Sequence, residues 1–264
     1  MMDELFGYIC NCKIKQFPNS QSCVVCSRPI WRPKAADSDL SMPLVDPESI
    51  PECPSDKDPD SEPLARNIRR AYTRVHDIAA LNDFAYFCTW TLDKDKINRY
   101  DPKIISEKLK THLKHQVERH NLIYLLVPEH HKDGAIHMHG LINGDDLRLK
   151  DSGKRVLDKL TGQRKPVYNL LDWKYGFSTC IKVTGDPENV AKYITKYVSK
   201  DFKKIFGNFY YAGGDIMRDA PVSFVNLSYE LIDCKEYHCA AIDAGFKYFS
   251  MKDGDLTHVL RGCI

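Results

Sequence analysis

Apolar and polar positions change period several times along this chain. Residues 85–92, AYFCTWTL, are rich in aromatic and β-favouring side chains and predict a strand. Residues 122–127, LIYLLV, form a short apolar run that predicts a buried strand. Asp133-Gly134 signals a hairpin turn, and residues 135–142 predict the returning strand. A further strand is expected over 177–183, FSTCIKV. Helical spacing intervenes three times. Pro63 suits the first turn of a helix running to about residue 82. Asp101-Pro102 opens a second helix to about residue 120, with Ile104, Ile105, Leu109 and Leu113 as its apolar stripe. Asp186 as N-cap and Pro187 at the first helical position start a third, to about residue 201. Residues 144–170 read as polar and irregular, with one short helix at most. Beyond 205 the pattern weakens, with strands expected around 209–211 and 222–227. The order predicts an α+β fold, a central antiparallel sheet with flanking helices, all on one face.

Charge changes the domain picture. The 264 residues carry 38 basic and 36 acidic side chains, a formal net charge of +2, so overall charge says little about partners. Its distribution says more. Asp37, Asp39, Asp46, Glu48, Glu52, Asp56, Asp58, Asp60 and Glu62 face only Lys57, among six prolines between 33 and 59. That stretch predicts an acidic, Pro-rich linker over 34–62. The remainder is correspondingly basic, which suits a phosphate-binding body. Ahead of the linker, Cys10, Cys12, Cys23 and Cys26 form C-x-C-x10-C-x2-C. Four thiolates on two knuckles predict a Zn²⁺ ribbon-like module over 1–33; free thiols in a flexible arm are the alternative. Residues 63–264 are then expected to form the main domain. No apolar run is long enough to span a membrane, and the N-terminus has no signal-peptide pattern, so a cytoplasmic setting with reduced thiols is expected.

Two motifs carry chemistry. His137 and His139, in AIHMHGLI, fall on one face of their strand because side chains alternate. Two imidazoles in an apolar strand cost desolvation unless something binds them. Glu129, at the end of the partner strand, is placed to join them; His130 and His131 compete for that role. Two His and one carboxylate leave positions open for substrate oxygens and suit Mg²⁺ or Mn²⁺. The second motif is AKYITKYVSKD. Tyr193 and Tyr197 are four residues apart and share a helix face. Lys196 and Lys200 each follow a tyrosine by three, and Lys192 extends the row. Tyrosines at this spacing otherwise form a core stripe, or the helix is simply solvated. A phenol beside a metal-polarised phosphate is a nucleophile, and a lysine row neutralises phosphates.

Together these motifs resemble HUH-type rolling-circle replication initiators (Rep proteins). HMH with Glu129 resembles their metal motif, FCTWTLD (87–93) their first strand motif, and YITK and YVSK their Y-x-x-K nucleophile motif. The paired tyrosines resemble the two-tyrosine form of single-stranded DNA phages and related plasmids. The resemblance spans roughly residues 84–205 and implies an HUH endonuclease, RRM-like core. It implies that single-stranded or hairpin origin DNA is nicked by Tyr193 or Tyr197, with Tyr193 first. A 5′-phosphotyrosine and a 3′-OH primer would form, then rejoin. Lys196 and Lys200 would steer the phosphate. A host helicase and polymerase are the expected partners, in a bacterial cytoplasm. No GxxxxGK[ST] motif follows. The rival readings are a relaxase or single-strand transposase of the same chemistry, and a non-catalytic, zinc-containing DNA-binding regulator. Trp90, Trp173, Tyr175 and Phe177 are candidates to stack on bases, with Trp90 and Phe177 read as core.

Overall fold

The computed structural model describes residues 8–32, 61–158, 162–198, 204–239 and 243–252. Most of the expected linker, and Lys200 with it, lies outside these residues. The elements in chain order are β1 (Tyr8–Gln16), β2 (Gln21–Arg32), α1 (Ser61–Leu81), β3 (Tyr86–Leu92), α2 (Pro102–His120), β4 (Ile123–His130), β5 (Ile136–Asn143), β6 (Leu149–Leu157), β7 (Arg164–Leu170), β8 (Gly176–Lys182), α3 (Pro187–Val198), β9 (Tyr211–Gly213), β10 (Val222–Val225), β11 (Glu236–Cys239) and β12 (Ala244–Met251).

Contacts divide the chain into a unit of residues 1–54 and 219–264, and a unit of residues 55–218. This departs from the expected boundaries. The strands β10, β11 and β12 do not extend the main domain; they join the N-terminal hairpin in one antiparallel sheet of order β10-β1-β2-β12-β11. The hairpin has two edges, and the distant strands satisfy both.

The second unit is built on a seven-stranded sheet of order β6-β7-β8-β3-β5-β4-β9. Every pairing in it is antiparallel. Alternation along β3 buries Cys88, Trp90 and Leu92 on one face, where Ile105, Leu109 and Leu113 of α2 join them in a core with Met138. Asp101 caps α2, its carboxylate accepting from the backbone N–H of Lys103 and Ile104. The helices α1 and α3 pack together and contact β4 on the other face, where Leu125, Val127 and Leu141 are buried. Helices therefore stand on both faces of the sheet, not one as expected, with α1 and α3 over β4 and β5 on the second face. Residues 144–170 contain no helix among those described; they form the β6–β7 hairpin. Its strand β6 is largely exposed, so no apolar alternation marks it in the sequence.

Candidate functional site

In-register pairing lays the candidate residues out in rows. Glu129, His137, Thr91 and Phe177 stand opposite one another across β4, β5, β3 and β8. The next row is Val127, His139, Thr89 and Thr179; behind it come Leu125, Leu141, Phe87 and Ile181. All point to the face opposite α2. Gly140 holds the β4–β5 spacing: a Cβ there would stand 2.4 Å from the Leu125 carbonyl oxygen and 2.3 Å from Leu126 Cδ2.

Helix α3 lies over these rows. Asp186 Oδ1 accepts from the Glu188 backbone N–H at its start. Ala191, Ile194 and Val198 are buried, which turns Lys192, Tyr193 and Lys196 outward. Tyr193 and Tyr197 come together as their spacing predicts, hydroxyl to hydroxyl at 3.1 Å. The Tyr197 ring stacks on His139 with centroids 4.1 Å apart, and Phe87 packs edge-on against Tyr193 at 5.0 Å. Lys196 Nζ sits 5.9 Å over the Tyr193 ring. Burial, then the hydrogen bond and charge of Tyr193 and the charge of Glu129, raise the Tyr197 phenol well above its ordinary pKa.

His139 Nε2 lies 2.9 Å from Glu129 Oε2, both side chains being 15% exposed. Its Nδ1 lies 3.1 Å from Thr89 Oγ1. With Nε2–H donating to the carboxylate, Nδ1 accepts from the Thr89 hydroxyl; a divalent ion would take the place of the Nε2 proton. His137 shares their face but stacks on His131, centroids 4.9 Å apart, and burial followed by the His131 charge lowers its pKa. His131 is held by Asp133, Nδ1 to Oδ1 3.2 Å, and Asp133 by Arg99 at 2.8 Å. His130 pairs with Ile136 and so points to the other face of the sheet from Glu129. Among the described residues no three His, Cys, Asp or Glu side chains are placed together to hold a metal ion. The donor chemistry nonetheless fits one divalent ion. Two ligands about 2.1 Å from an octahedral ion, at right angles, stand about 3.0 Å apart, close to the Glu129–His139 separation.

The cysteines behave otherwise. Cys10, Cys12, Cys23 and Cys26 are all buried, and none is in a disulfide. The C-x2-C half lies within strand β2 rather than in a knuckle turn. Cys23 packs with Cys12, Tyr229 and Phe249, whereas Cys26 packs with Val24 and Phe246 in a separate cluster. The Cys23 hydrogen bond, then burial and the neighbouring thiols Cys23, Cys10 and Cys26, push the Cys12 thiol well up. Among the described residues these four cysteines form no group placed to hold a metal ion.

Of the stacking candidates, Trp90 and Trp173 are buried and stack on each other at 4.8 Å. Tyr175 leans against Trp173. Phe177, expected in the core, is 67% exposed. Sequence reasoning missed Thr89 and Phe87 as site residues. Their signal is parity: in FCTWTL they alternate with the core positions Cys88, Trp90 and Leu92.

An α+β unit with an open sheet face, paired phenols and a His–carboxylate couple is the class these observations define. Residues 85–202 match the profile of a family of replication-associated proteins, the ORF2 type. That segment, β3 through α3, is similar to replication-associated proteins. Neither curated proteins nor solved structures give a match. No helix among the described residues is long and apolar enough to cross a membrane.

Proposed function

We propose that this protein initiates replication by cutting and rejoining single-stranded origin DNA through a tyrosine. One observation carries the reading: two phenol hydroxyls 3.1 Å apart stand over a His139–Glu129 pair, in the segment that matches a replication-associated family. The phenol oxygen of Tyr193 attacks the phosphorus. The phenol gives up its proton to solvent as a P–O bond forms; the bond from phosphorus to the 3′ oxygen breaks, and that oxygen takes up a proton from solvent. The products are a 5′-phosphotyrosine and a 3′-OH, with the phosphodiester energy conserved. Tyr193 acts first because it is the more exposed, at 46%. Tyr197 then acts on the regenerated junction without movement of the helix. Lys196 contacts the phosphate, and Lys200, by its spacing, does the same for Tyr197. Glu129 and His139, joined by His137, would hold Mg²⁺ or Mn²⁺, which would supply Lewis-acid polarisation of the scissile phosphate and offset the Glu129 charge beside Tyr197. Thr89 fixes the His139 ring so that Nε2 faces the carboxylate. Phe87 supports both phenols from below.

The test is covalent capture. Single-stranded oligonucleotides from the protein's own locus are incubated with Mn²⁺ and resolved under denaturing conditions. The expected outcome is a protein–DNA adduct lost with EDTA and lost in Tyr193→Phe/Tyr197→Phe. Tight binding with no adduct from any locus-derived strand would sink the reading in favour of a non-catalytic regulator.

A further inference from the structure

Among the described residues, Phe177 is the largest apolar side chain that the second unit holds out to solvent. Leaving such a ring exposed forgoes the stabilisation that a buried aromatic contributes, so its position asks for an occupant. Its address is specific. It ends the row Glu129–His137–Thr91–Phe177, so its ring rises from the same face as the His–carboxylate pair. Neighbouring strands lie about 4.8 Å apart, which puts its backbone about 10 Å from that of His137. The residue before it fixes that position. A Cβ on Gly176 would stand 2.0 Å from the Thr91 carbonyl oxygen, so β8 and β3 close up only because position 176 is glycine.

The surroundings name the chemistry. Thr91 lies beside Phe177 in the row, and Thr179 is exposed two positions along β8. A protein interface would set such an anchor in a wider apolar patch. Here the ring has the hydroxyl residues Thr91 and Thr179 beside it, on the sheet face that also carries Phe87, the residue against which Tyr193 and Tyr197 pack. That pattern suits one unpaired base on the ring, with hydroxyls available to the sugar-phosphate backbone.

We propose that Phe177 is the stacking platform for an unpaired base of the DNA strand, close beside the phosphate that is cut, and that it sets the strand's position over the row. The inference rests on the strand-transfer reading for its meaning but not for its test. The probe is a short fluorescein-labelled oligothymidylate, because aromatic stacking tolerates any base. The protein is the full chain carrying Tyr193→Phe/Tyr197→Phe, in EDTA, so neither chemistry nor metal enters. Adding Phe177→Ala should weaken binding roughly ten- to a hundredfold, with a smaller change for duplex DNA of equal length. F177W should keep affinity and show tryptophan quenching on binding that the parent lacks. Phe177 is exposed, so the thermal midpoint of each variant should match the parent.

Unchanged affinity in Phe177→Ala overturns the platform, as does a parent that fails to bind the oligonucleotide at all. A fall in self-association on sedimentation, with DNA affinity unchanged, would assign the ring to a second copy of this chain instead. The two readings fail separately. Loss of binding in Phe177→Ala without any adduct in the capture assay keeps the platform and removes the chemistry. A normal adduct with unaltered Phe177→Ala binding does the reverse.

Discussion

The histidines of the second unit and the cysteines of the first are both closely spaced donor sets on strands, yet the fold treats them in opposite ways. H-x-H spans one full strand period, so His137 and His139 share a face and meet Glu129 from the neighbouring strand. C-x2-C is one residue out of that period. In a knuckle turn its sulfurs would converge; in the extended strand β2 it sends Cys23 and Cys26 to separate clusters. Donor spacing therefore means something only once the period of the local backbone is known.

Metal removal should break this symmetry most sharply. Chelation, or Glu129→Ala, is expected to lower adduct formation by about a hundredfold or more, read on denaturing gels. The same chelator should leave the thermal midpoint unchanged. A large drop in that midpoint, with release of one zinc per chain, would restore the cysteine site and defeat the comparison.

Acid should separate the two units next. His112 of α2 packs edge-on against Trp90 and Trp173, and burial, partly opposed by Asp172, lowers its pKa to about 4. The folded value lies below that of a free histidine, so the unfolded chain binds the proton more tightly. Stability is whole above about pH 6.5 and is lost as pH falls from there towards 4, by about 3 kcal/mol in total. The shifts in the first unit belong to thiols and a phenol and lie far above this window. Hydrogen exchange at pH 7 and pH 4.5 should thus show β3 and α2 loosening more than β2 and β12. Equal loosening would remove His112 as the cause.

The smallest effect tests orientation. Thr89→Val removes the partner of His139 Nδ1 while keeping the shape, and should weaken Mn²⁺ binding roughly ten- to a hundredfold. Titration by calorimetry reads it directly. Retained affinity would mean that stacking on Tyr197 alone orients the ring.

Local rules made much of this fold legible. Asp101 and Asp186 announced their helices, and alternation in AIHMHGLI placed both imidazoles on one face. What escaped was long-range or two-sided. Strand β12 pairs with β2 across more than two hundred residues, and nothing local in its sequence names that partner. The β6–β7 hairpin is exposed enough to erase its own periodicity. Phe177 misled by its type: an aromatic reads as core until the parity of β8, with Ser178 and Cys180 inward, shows it on the open face.

The absence of a side chain at Gly140 has a genetic consequence. The contact between β5 and the Leu125 carbonyl leaves no room for even one methyl group, and every missense change of a glycine codon supplies at least that much. A substitution there would wedge His139 away from Glu129 without touching either residue. The codon beside the histidine pair should thus tolerate only synonymous change, so a null allele at position 140 would pass for an active-site lesion although the altered residue has no chemistry of its own.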